Sequence, residues 1–239
     1  MNLMRCFAGP ALSVGICSAA LAQITGTVKL DGNPPVMHPI QGIANDPNCA
    51  KLHKNPVTEE TVVVGGNGEL QNVVVSIKPA AGQKVPVAIP TKPAILDQKG
   101  CVYHPHVVAV MVGQEVDVKS SDLCMHNVRA LCTENEAFNF GQPAPATKKL
   151  TPFTKPETFK IKCDVHPWMA AWVRVLDNPY FGVTGEDGKY SIDTAGLPDG
   201  DYTLIFWQER YDENEQKVTV KNGKATADFS FKSKEKAQP

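Results

Sequence analysis

A period of two runs through almost the whole chain, and it restricts the fold more than any other feature. Val116 and Val118 alternate with charged residues, Phe159, Ile161 and Cys163 alternate with lysines, and Tyr202, Leu204 and Phe206 repeat the pattern. Successive side chains of an extended strand point to opposite faces, so each run has one apolar face to bury. No window of helical length carries a clean amphipathic stripe. Valines at 62–64 and 73–75 flank the turn-like "GGNGEL", and "KVTVKNGKATADFSF" contains Asn222-Gly223, a pair suited to a hairpin turn with positive φ. The class is all-β, built as sandwiches of antiparallel sheets. With 239 residues, 42% of them hydrophobic, the chain can fill one large or two small cores. Proline-rich stretches at 86–93 and 143–156 read as loops or linkers.

The first 22 residues, MNLMRCFAGPALSVGICSAALA, place one arginine before a short apolar run that ends in Ala20-Leu21-Ala22. That is the pattern of a secretory signal, so the mature chain begins near Gln23 and is periplasmic or secreted. The run is too short to span a bilayer, no other stretch is long enough, and bulky Ile16 disfavours lipid attachment at Cys17. Export leaves five cysteines, Cys49, Cys101, Cys124, Cys132 and Cys163. An oxidising compartment pairs thiols, so the odd number asks which one does something else. Of the possible pairings we favour Cys49 with Cys101 and Cys124 with Cys132, the latter across a short hairpin-like loop. Cys163 is left over. The formal net charge of −1 gives no reason to expect a nucleic-acid partner.

Cys163 opens "CDVHPWM", in which Cys163, His166 and Met169 stand at three-residue steps. A thiolate, an imidazole and a thioether suit copper, because sulfur favours Cu(I) and imidazole serves both oxidation states. Zinc rarely recruits methionine. A trigonal site needs a second histidine, and "SSDLCMHNVRAL" supplies His126. His104 and His106, two apart in "CVYHPHVV", would point the same way on a regular strand and could bind a second metal. With no further ligand evident they read as an exposed or hydrogen-bonded pair. Trp168 and Trp172 flank Met169 as core or rim packing, and the acidic "YDENEQ" at 211–216 reads as a solvated loop.

These residues carry a resemblance. "CDVHPWM", the upstream "MHNV" and the run "YHPHVVAVMVGQEVDVKSSD" resemble the copper loops and leading strands of the cupredoxins, and of the amicyanin type in particular. The resemblance implies a Greek-key cupredoxin sandwich over 97–177 with one mononuclear type 1 copper bound by His126, Cys163, His166 and Met169. It further implies that Asn127 ties the two ligand loops together and that Pro167 removes a backbone donor near the sulfur. The flanks, "ITGTVKLDGNPP" and "GVTGEDGKYSIDTAGLPDGDYTLIFWQE", resemble carboxypeptidase regulatory-like domains, which are prealbumin-type sandwiches. The organisation expected is a signal peptide at 1–22, a discontinuous second sandwich from 23–96 and 178–231 with the copper domain inserted, and a disordered tail at 232–239.

Single-electron transfer is the leading functional reading, with no enzymatic activity and with His166 reaching the surface as the exchange point. The resemblance implies redox partners such as a periplasmic dehydrogenase and a c-type cytochrome. Alternatives are a copper carrier or store, although no methionine-rich tract is present, and a surface interaction module with incidental copper. A copper enzyme of the nitrite reductase kind would need more histidines than are free.

Overall fold

The computed structural model of the protein describes residues 22–235; residues 1–21, nearly all of the signal sequence expected at 1–22, and residues 236–239 lie outside them. Extended segments dominate, as the period of two requires. The chain opens with β1 (Gln23–Asp31), passes two short helices, α1 (Gln41–Asn45) and α2 (Pro47–Ala50), and reaches β2 (Val74–Lys78). Nine strands follow: β3 (Ala94–Lys99), β4 (Val102–His104), β5 (Val107–Met111), β6 (Val116–Ser120), β7 (His126–Ala130), β8 (Asn139–Gln142), β9 (Ala146–Leu150), β10 (Glu157–Lys162) and β11 (Ala170–Leu176). Six more complete the chain: β12 (Phe181–Val183), β13 (Lys189–Asp193), β14 (Gly200–Gln208), β15 (Asp212–Val220), β16 (Lys224–Thr226) and β17 (Phe229–Lys232).

Two sandwiches result. In the inner one the sheet β5-β11-β10-β7-β8 packs on the sheet β4-β3-β6-β9, and the chain crosses repeatedly from one to the other. Those crossings explain why β3 pairs with β6, and β5 with β11, in parallel. In the outer one β1 pairs with β13, β16 and β17, opposite the sheet β12-β2-β14-β15. The outer sandwich is therefore assembled from both ends of the described chain, with the inner one inserted between β2 and β12.

Each sandwich buries its own apolar cluster. Leu96, Val118, Phe159, Ile161 and Val173 belong to the inner core, and Ile24, Leu70, Ile192, Leu204 and Phe206 to the outer. A small third cluster of Val74, Val107 and Trp207, with Trp172 against it, seals the seam between them. That seam changes β14. Alternation predicts that Tyr202, Leu204 and Phe206 face inward, yet every residue from 202 to 208 is buried. The second face of the strand is covered by the inner sandwich, where the Trp172 and Trp207 rings meet edge to face at 5.6 Å. Just past the strand, Glu209 accepts from Trp172 Nε1 at 2.6 Å and pairs with His106.

Several expectations need correction. Residues 40–57 do not serve the outer sandwich; Ile40, Ile43, Cys49 and Val57 pack on the inner core. The stretch 143–156 is not all linker, because β9 lies within it and completes a ladder with β6. "YDENEQ" is not a loop: from Asp212 its residues pair with β14, which satisfies the backbone while the acidic side chains stay exposed. Within the described part of the tail, Lys232 ends β17 and pairs with Asp31, and Ser233 N–H donates to Asp31 O at 2.8 Å. Asn222 and Gly223 do hold positive φ, 51° and 69°, and both backbone N–H groups donate to the Asp199 carboxylate.

Candidate metal centre

Topology alone gathers the ligand loops. β10 lies between β7 and β11, so the start of β7 at His126, the end of β10 at Lys162 and the start of β11 at Ala170 share one end of a sheet. The loop 163–169 joins two of those ends and is drawn tight by its own backbone. Met169 N–H donates to His166 O at 2.9 Å, and Cys163 N–H donates to Met169 O at 3.2 Å. Asn127 fastens this loop to β7: its Oδ1 accepts from Asp164 N–H at 2.8 Å. Pro167 directly follows His166 and contributes no backbone donor.

The three donors converge. His126 Nδ1 and His166 Nδ1 are 3.0 Å apart, Cys163 Sγ lies 3.8 Å from His166 Nδ1, and one donor atom from each residue falls within 4.8 Å of the others. Typical metal bonds of about 2.0 Å to nitrogen and about 2.3 Å to sulfur span both measured gaps around one ion. Two imidazole lone pairs that face each other this closely need a proton or a cation between them. All three side chains are buried, with His126 at 0%, Cys163 at 1% and His166 at 4% exposure, and Met169 is buried in the same cluster. Two imidazoles and a thiolate beside a thioether fit copper.

The electrostatics favour a cation here. Burial alone would push the Cys163 thiol up, but hydrogen bonding with His126 and the backbone N–H groups of His166, Asn127 and Val165 hold it below the ordinary thiol range. The two direct backbone contacts to Sγ are 3.4 Å from Asn127 N and 3.3 Å from His166 N. His126 is pushed down by burial yet raised to about 9 overall, chiefly by Asp122 and then by Cys163. His166 is lowered by burial and by the neighbouring His126 charge. A bound metal would take the place of the proton on His126.

Sequence reasoning missed Asp122. Its Oδ2 lies 2.9 Å from His126 Nε2, which leaves Nδ1 for a metal, and its two oxygens accept from Gly100 N–H at 2.6 Å and Cys101 N–H at 2.8 Å. Its place four residues before His126 was the available signal. The roof over His166 was also missed. Trp168 lies beside the ring at 5.1 Å between centroids, tilted by 56°, and donates from Nε1 to Cys101 O, while Asp46 Oδ2 stands 4.0 Å from Nε2. Gly42 permits this closure, since a Cβ there would lie 2.1 Å from the Trp168 ring. His166 therefore does not reach the surface as expected.

Of the two expected cysteine pairs one forms and the other does not. Cys49 and Cys101 form a disulfide, but Cys124 and Cys132 are free thiols. Between those two runs β7, and an extended strand holds its ends apart where a hairpin would join them. Burial, with Glu157 nearby, pushes Cys132 up to about 12. His104 and His106 share no donor group among the described residues. β4 ends at His104, which is exposed, and His106 turns to Glu209.

No protein-family model and no curated protein matches this chain. Solved structures do. A Cu-containing nitrite reductase from Thermus scotoductus SA-01 is 25% identical with a TM-score of 0.34, over 41% of this chain and 26% of that one. A purple cupredoxin from Nitrosopumilus maritimus is 20% identical with a TM-score of 0.31, over 35% of this chain and 99% of that one. An oxidised amicyanin mutant is 21% identical with a TM-score of 0.33, over 43% of this chain and 98% of that one. The chain spans about a quarter of the nitrite reductase's length. At these scores the likenesses name neighbours and carry no weight in assigning the centre, which stands on its own donor atoms.

Proposed function

We propose that this chain is an exported single-electron carrier whose one mononuclear type 1 copper would be held by His126, Cys163, His166 and Met169. The observation that carries this reading is the convergence of two Nδ1 atoms and one Sγ at a buried sheet end, with two backbone N–H groups aimed at the sulfur. Copper, when bound, supplies a Cu(I)/Cu(II) couple. The chain's part is to keep the donors still. His126 is held by Asp122, the two loops are tied by Asn127, and burial keeps water away. A donor set that cannot rearrange suits an electron that must arrive and leave without reorganisation.

With His166 roofed over, the loops beside the ligands expose three apolar side chains, Leu123, Met125 and Val165. Such a rim fits brief docking to a redox protein such as a c-type cytochrome or a periplasmic dehydrogenase. We read the chain as a carrier and not an enzyme, located in the periplasm or secreted. The outer sandwich, whose turns resemble those of carboxypeptidase regulatory-like domains, braces β11 through Trp207 and Glu209.

Protein-film voltammetry of the copper-loaded mature chain tests this. A reversible one-electron couple with fast electron exchange is expected. Slow, irreversible electron exchange, with copper passing readily to a chelator, would move the reading to copper transport.

A further inference from the structure

Beside the proposed centre lies a sulfur cluster that it does not use. The free thiol of Cys124 sits 3.8 Å from the sulfur of Cys101, which is already bonded to Cys49. The sulfurs of all three and one His166 nitrogen lie within 4.8 Å of one another. A second, overlapping group joins Cys101 and Cys124 to Asp122 and His126. A structural staple needs two sulfurs and gives no reason for a third. Cys101 is also held in a left-handed conformation, φ 54°, that L residues with a side chain seldom adopt. The grip of Asp122 on the N–H groups of Gly100 and Cys101 maintains it, and strain of this kind collects at functional sites.

We propose that Cys49, Cys101 and Cys124 form a second copper site, a trigonal Cu(I) tris-thiolate, when the Cys49–Cys101 bond is reduced. Three sulfurs around one ion at bonds of about 2.3 Å lie roughly 4 Å apart, close to the gap already present between Cys101 and Cys124. Thiolates alone select Cu(I). Zinc would want a fourth donor, and the nearest, His166, belongs to the mononuclear centre. The reductant is a dithiol, which gives two electrons and two protons to the disulfide and leaves as its own disulfide. The three thiols then release their protons to solvent as Cu(I) binds. Oxidised, Cys49 and Cys101 staple α2 beside His166; reduced, they join Cys124 to accept copper.

This site uses different sulfurs from the proposed centre, so the two stand or fall separately. The metal-free mature chain is reduced with a water-soluble phosphine, which takes oxygen from water as the disulfide opens, and desalted without oxygen. It is then titrated with Cu(I) against a chromogenic Cu(I) chelator. Two equivalents are expected for the reduced chain and one for the oxidised chain. Reduced Cys124→Ser is expected to bind one, and reduced Cys163→Ser one whose X-ray absorption shows three sulfur neighbours. A single equivalent that disappears in Cys163→Ser overturns the second site. So does a Cys163→Ser chain whose copper survives Cys124→Ser, that holds Zn(II) through His166 instead, or that loses its far-ultraviolet circular dichroism on reduction. A single equivalent that survives Cys163→Ser but not Cys124→Ser would sustain this site and defeat the mononuclear one.

Discussion

The two sandwiches solve the same burial problem by different means. The outer core is aliphatic and aromatic, and two of its tyrosines place their hydroxyls on backbone carbonyls, Tyr190 on Ala227 and Tyr202 on Pro198, each at 2.7 Å. The inner core buries His126, Asp122 and His166 at one end, and Gln98 bonded to Gln142 at 2.9 Å deeper in. Buried polar groups cost free energy unless they are hydrogen-bonded, and buried charge costs more. The inner sandwich meets that cost with backbone N–H groups on Asp122 and on Cys163. Buried titratable groups mark the site; the outer sandwich, which buries neutral polar groups such as Asn178, Thr184 and Gln208, marks a support.

Substitutions in the two cores sharpen the contrast. Phe206, fully buried in the outer core, packs against Tyr190 and Phe229. Phe206→Ala is expected to cost about 3–5 kcal/mol in denaturant unfolding while leaving the copper spectrum of the folded fraction unchanged. Loss of the spectrum without loss of stability would reverse the division of labour. Asp122→Asn should do the opposite and weaken copper about 10–100-fold in chelator competition, through the lost grip on His126. Met169→Leu keeps the buried volume, so it should cost less than about 1.5 kcal/mol yet raise the reduction potential measured by voltammetry. An unmoved potential would remove Met169 from the metal.

The smallest expected effect concerns Glu157. Partial burial would push its carboxyl up, but N–H groups of Thr133, Glu134 and Asn135 and the Asn135 side chain bring it down to about 2. A folded value below the unfolded one contributes stability that is present above about pH 4.5 and lost as pH falls toward 2. Glu157→Gln should flatten that part of the stability-against-pH curve and leave the copper spectrum alone.

The meeting of His126, Cys163 and His166 was legible because each carries its own chemistry at a set spacing, two of them in one loop and His126 at the head of a strand. Asp122 was illegible because its role depends on Gly100 and Cys101, which reach it only through the fold. The roof on His166 was hidden for the same reason: α1 and α2 are too short for a helical stripe and are held by the bond between Cys49 and Cys101. Alternation located β14 but not its second buried face, since a neighbour's surface leaves no mark on a strand's own period. A bond between Cys124 and Cys132 needs a turn between them, and that segment is the strand β7.

The most direct test adds Cu(II) to the purified mature chain and records visible absorption and electron spin resonance, with Cys163→Ser alongside. An intense thiolate charge-transfer band that vanishes in the variant is the result expected of copper on Cys163 between His126 and His166. Copper binding with no such band, or a band that persists in Cys163→Ser, would contradict it.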